Sequence, residues 1–192
     1  MNSYLSEKAK QLIPKARMVS FDTWGTRYSQ QVIEIFQKAE EEKRYLTDRD
    51  LEEIKTLSPN SSSSLEKVKL LREKAPQIID RARKQVLAQY PHITEPGGEL
   101  YPPVRAEACW RDFWHFLRCI TYGIAGQITE YTSDEGLKNM ELLYQELRVP
   151  LKAMVTGLEN LKIFSLEEFQ LQERDNLAPY FDRAIAKLKQ FT

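Results

Sequence analysis

The chain has 192 residues, enough for one domain with an ordinary core. Lys+Arg and Asp+Glu are both 28, and this zero formal net charge argues against a partner nucleic acid held on a basic surface. No stretch approaches the roughly 20 apolar residues needed to cross a bilayer, and MNSYLSEKAK at the N-terminus lacks the apolar run of a signal peptide. The expectation is a protein that stays in the compartment where it is made.

No segment alternates apolar and polar residues over a useful length, so the chain reads as helices throughout. Residues 6–17 carry Leu12, Ile13 and Ala16 but also Pro14, which predicts a short or kinked helix. Residues 18–26 read as a loop anchored by Phe21 and Trp24. Residues 27–42 place Val32, Ile35, Phe36 and Ala39 on one helical face. Thr47 and Asp50 form a T-x-x-D capping signature that opens a helix through Leu57. SPNSSSS, residues 58–64, reads as a turn or short linker.

Residues 65–72 and 77–90 predict one long helix bent near Pro76, or two in succession. Pro96-Gly97-Gly98 marks a loop. A central helix follows over 103–126, its start compatible with Pro102 and Pro103. Three more are expected over 134–147, 149–161 and 165–188, the last interrupted or kinked at Pro179. Eight or so helices with such connections suit a globin-like packing around a ligand pocket.

The central helix is chemically unusual. Arg105, Cys109, Asp112 and Phe116 recur at helical period and form one stripe. A plain core stripe would be aliphatic; this one sets a thiol, a carboxylate and a guanidinium beside a ring, which suits a large, flat, partly charged ligand that is covalently held. Cys109 and Cys119 are ten residues apart on that helix, about 15 Å along its axis, too far to pair. Free thiols in a reducing compartment follow. Haem is disfavoured, because His92 and His115 are the two histidines and neither lies in the helix after the central one, where a proximal ligand is needed.

The string EPGGELYPPVRAEACWRDFWHFLR (95–118) resembles the chromophore-attachment segment of the phycobiliproteins, the bilin-carrying light-harvesting subunits of cyanobacteria and red algae. The resemblance continues in AEEEKRYLTDRDLEEIKTL (39–57), ITYGIAGQ (120–127), LLYQELRVPLKAMVTGLENLK (142–162) and APYFDRAI (178–185). It implies a divergent allophycocyanin- or phycocyanin-like member. The implied fold is all-α, a globin-like phycobiliprotein domain over 37–192 preceded by an N-terminal helical extension, 1–36, of the kind that serves pairing in the family.

The resemblance also implies a function. The ligand would be a linear tetrapyrrole, a phycocyanobilin-like bilin attached by a thioether to Cys109, with Asp112 accepting hydrogen bonds from its inner pyrrole N–H groups. Arg111 and Arg105 match positions that pair with its propionates. Tyr122, Trp114 and Phe116 are the expected aromatic walls, set against the plainer reading of aromatic core. Arg118 and Cys119 read as structural. His115 stands where related chains often carry tyrosine, and Glu99 stands where β-type subunits carry an asparagine that becomes methylated.

Expected partners are phycobiliprotein subunits, bilin lyases or phycobilisome linker proteins in a homo- or hetero-oligomer. The implied location is cytoplasmic, peripheral on the thylakoid face. The alternative is an unpigmented assembly or interaction protein, or a transient bilin carrier, on the same fold. An enzyme using Cys109 and His115 is disfavoured, because six residues separate their side chains well around the helix.

Overall fold

A computed structural model describes residues 5–192. Among these residues eight α-helices carry the fold: α1 (Glu7–Leu12), α2 (Gln30–Glu41), α3 (Asp48–Leu57), α4 (Ser62–Gln89), α5 (Pro103–Gly126), α6 (Asp134–Leu147), α7 (Leu151–Glu167) and α8 (Leu171–Lys189). Short 3₁₀ turns lie at Trp24–Thr26 and Pro59–Ser61. Among the described residues the one β-type contact is an antiparallel bridge between Val19 and Thr132. The chain is all-α, as its periodicity predicts.

Local chemistry sets the helix starts. Ser6, Ser29 and Ser133 each accept a hydrogen bond from a first-turn backbone N–H of α1, α2 and α6. Thr47 and Asp50 close a capping box on α3, and Arg44 pairs with Asp50 at 2.5 Å, tying the preceding turn to the same cap. At the other ends, α5 stops at Gln127 and α6 at Arg148, both left-handed, with φ of 49° and 50°. These are glycine positions by backbone preference, filled here by long polar side chains.

The structure departs from the periodicity at three places and decides between open alternatives at the two prolines. Residues 27–29 lie outside α2, because Ser29 is extended and caps it. The serine run is not a linker: Ser62, Ser63 and Ser64 form the first turn of α4, and Ser64 is buried against the end of α5, its hydroxyl directed at the Ala125 carbonyl. Neither proline ends its helix. α4 passes through Pro76 as one 28-residue element about 42 Å long, and α8 passes through Pro179. The expected break at 162–164 falls instead at 168–170, since Leu161, Phe164 and Ser165 keep a buried helical face and Gln170 with Glu173 caps the next helix.

The core is one cluster centred on α5. From Phe116 to Gly126 every residue of α5 is buried, as expected of a helix surrounded on all sides. α4 and α7 pack along it, α8 packs on α7 and α5, and α6 crosses near its N-terminal half. α7 packs tightly on α5 at Gly157, where an added Cβ would sit 2.0 Å from the Phe113 ring. The segment before α2 is part of this core: Phe21, Trp24 and Tyr28 are buried within the cluster, and α1 lies on α6.

Candidate functional site

The N-terminal half of α5 carries the candidate residues, and α6 faces them. Cys109 is 5% exposed and has no disulfide partner. Burial pushes its thiol up to about 12; the Asp112 carboxylate adds to the rise and the Arg105 guanidinium opposes it. Asp112 is half-buried, and Tyr144 on α6 donates to its Oδ2 at 3.2 Å. Burial raises this carboxyl to about 6 against the Tyr144 bond and the Arg111 charge. The Tyr144 phenol is driven well up in turn, by burial first and then by Asp112 and Cys109. A thiol, a carboxyl and a phenol therefore share one desolvated, closed seam between these helices, the α5–α6 crevice.

The C-terminal tail closes this crevice. Phe191 packs edge-on against Tyr144 with ring centroids 5.8 Å apart. Thr192 donates from backbone and hydroxyl to Glu141 Oε1 at 2.8 and 2.9 Å. At the far end, Arg105 donates to the carbonyls of Glu99, Leu147 and Arg148 at 3.1, 2.9 and 3.0 Å. It clamps the loop before α5 to the α6–α7 turn.

A match to the family model described as phycobilisome protein covers residues 34–188. The chain belongs to the phycobilisome protein family. It is 29% identical over 154 residues to allophycocyanin subunit alpha-B of a Synechocystis strain, spanning 80% of this chain and 96% of that protein. It is 32% identical over 154 residues to the allophycocyanin alpha-B chain of Cyanidium caldarium, covering 80% and 94%. The putative allophycocyanin subunit alpha 2 of a Nostoc strain is 26% identical over 158 residues, covering 82% and 98%.

In this phycobilisome protein the expected site residues fall into two groups. Arg105, Cys109 and Asp112 face the α5–α6 crevice, close enough for the first and third to act on the thiol's ionisation. Arg111, immediately before Asp112, is exposed and forms no ion pair among the described residues. Trp114 and Tyr122 are engaged elsewhere. Trp114 stacks edge-on with Tyr45 and with His115, at 5.0 and 5.1 Å.

Tyr122 lies about 20 Å along the helix from Cys109, fully buried against Phe21 and Phe36. Its hydroxyl accepts from Arg118 at 2.7 Å and donates to the Arg44 carbonyl. Phe116 is buried in the core cluster.

Sequence reasoning missed Tyr144. Its segment, LLYQEL, lies within the quoted resemblance, but the partner of a single tyrosine on a polar helix is fixed by how α6 crosses α5. Arg118 is structural, as expected: it pairs with Glu40 at 2.5 Å in the buried α2–α5 contact. His115 and Cys109 do not form a nucleophile–base pair in character. Burial and the neighbouring Arg118, Lys43 and Arg111 charges push the imidazole down to about 4, while the thiol is held protonated.

In its chemistry, though not in the space the closed α5–α6 contact leaves, the donor set suits a linear tetrapyrrole. Tyr144 alone donates to the Asp112 carboxylate among the described residues, which leaves most of its acceptor sites for ligand N–H groups. Arg111 is an unpaired cation beside it, suited to a propionate.

Proposed function

We propose that this chain is a bilin-binding phycobilisome subunit of the light-harvesting antenna, with Cys109 as the attachment residue. The observation that carries the reading is the convergence of Cys109, Asp112 and Tyr144 in one crevice with Arg111 unpaired at its rim. A bound bilin would supply visible absorption and excitation transfer. Asp112 would hold its inner N–H groups, with Tyr144 orienting the carboxylate, and Arg111 would hold a propionate. Arg105 is committed to three backbone carbonyls and would act by fixing the crevice's end rather than by pairing with a propionate.

The burial of the thiol also bears on how the pigment would arrive. A thiol with a pKa of about 12 is only about 10⁻⁴ to 10⁻⁵ thiolate near neutral pH, and at 5% exposure it is closed to a large ligand. Attachment then calls for an assisting lyase that opens the α5–α6 crevice. The same closure favours, as a second reading, an unpigmented assembly protein or a transient carrier on this fold. In either role the chain would work among phycobiliprotein subunits on the cytoplasmic side of the thylakoid. No helix among the described residues is long and apolar enough to cross a membrane.

Co-expression with a bilin-synthesis pathway and matching lyases decides between the two readings. The bilin reading expects zinc-enhanced fluorescence of the denatured band in a gel, absent from Cys109→Ala. An unlabelled wild-type band, with antenna subunits still captured, supports the assembly role and overturns attachment.

A further inference from the structure

The segment ahead of α2 has no counterpart in the matched relatives: the family match begins at residue 34, and relatives covered over 94–96% of their own length account for 80% of this chain. The segment is nonetheless built in. The Ser20 N–H donates to the Tyr131 carbonyl and the Ser133 N–H to the Met18 carbonyl, both at 2.9 Å, around the Val19–Thr132 bridge. Phe21 and Trp24 then enter between α2 and α5. Phe21 lies 5.9 Å from Phe36 and 6.2 Å from Tyr122, and Trp24 lies 4.8 Å from Phe36.

The groove is shaped for the indole. Gly126 provides the floor, and a Cβ there would sit 2.5 Å from the Trp24 ring. Tyr28 donates to the Gly126 carbonyl at 2.8 Å, and Arg27 grips Gln127 through its backbone and side-chain oxygens at 2.8 and 2.9 Å. Three aromatics of this kind cover about 450–750 Å² of side-chain surface, close to the roughly 800 Å² that one partner contributes to a standard protein interface.

We propose that residues 18–28 form an intramolecular plug that seals the α2–α5 face, so that the chain closes there on itself, and that withdrawing the plug opens the face to a second copy of this chain. A chain of the same fold is the fitting occupant, because the family assembles from its own subunits and the groove offers aromatic walls and an already neutralised Glu40–Arg118 pair. This inference rests on family membership and is independent of pigment attachment.

Sedimentation velocity of the full-length chain across a wide concentration range tests it. Wild type should stay monomeric, while Trp24→Ala and Gly126→Ala should each tighten self-association by about tenfold or more. The second variant pushes the indole out from the groove side at a cost in overpacking; circular dichroism checks that the helical fold is kept. A wild-type dimer whose chemical cross-links join α2 of one copy to α5 of another overturns the proposal. So does a Gly126→Ala chain that keeps its helicity and remains monomeric.

Discussion

Asp112 and His115 lie one turn apart on α5 and carry opposite pH dependences. Burial raises Asp112 from its ordinary 3.8 to about 6. The native chain therefore holds the extra proton between those values, and this contribution to stability is present below pH 3.8 and lost as pH rises through about 6. Two pH units amount to at most about 3 kcal/mol for this half-buried carboxyl. Burial lowers His115 from 6.5 to about 4, so the unfolded chain holds its extra proton, and stability present above 6.5 is lost as pH falls through about 4. Halved for the partial solvent screening of this half-buried ring, that is about 1.5 kcal/mol.

The two trends partly cancel in the wild-type protein, and Asp112→Asn separates them. The variant should be more stable than wild type by about 2–3 kcal/mol near pH 7.5 and equal to it near pH 4. Carboxylates held below their ordinary range, such as Asp50, titrate alike in both chains and drop out of the difference. Urea unfolding followed by circular dichroism at about four pH values gives the comparison. A pH-independent difference, or an Asn variant less stable near pH 7.5, would refute an uncompensated buried carboxylate at this site.

Three further outcomes follow from packing and pairing. Gly157→Ala forces a methyl into the Phe113 ring and should cost about 1–3 kcal/mol, lowering the melting temperature by several degrees in a calorimetric scan. Glu40→Met strands the Arg118 guanidinium and should cost about 3–5 kcal/mol, most of it recovered when Arg118→Met is added; equal stability of the single and double variants would show that the pair is not buried as drawn. Arg105→Ala should speed amide exchange in the α6–α7 turn, and Arg105→Lys should not restore protection, because one ammonium cannot span the carbonyls of Glu99, Leu147 and Arg148.

Much of the helical order was legible because it is written at short range. Thr47 and Asp50 announced α3, the apolar positions from Val32 to Ala39 announced the buried face of α2, and the stripe through Arg105, Cys109 and Asp112 faces one crevice. Features set by contacts distant in sequence were not legible. Tyr144 meets Asp112 across 32 residues, and Arg118 meets Glu40 across 78. Prolines left two outcomes open for a related reason: Pro76 and Pro179 cost local helix stability, but packing of α4 and α8 on the core carries both helices through. Tyr122 illustrates the limit of an aromatic count along one helix, since only the arrival of Phe21 and Phe36 shows which end of the molecule it serves.

The left-handed Gln127 joins three parts of the molecule that chain order keeps apart. Its side chain accepts from Arg27 and donates toward Asn60 and Ser64, while its backbone ends α5. Glycine would suit that backbone better by up to about 1 kcal/mol, yet would sever both side-chain links. The residue thus works as a latch in which local discomfort sustains distant order, and loosening it would release the amino-terminal strap and the start of the longest helix together.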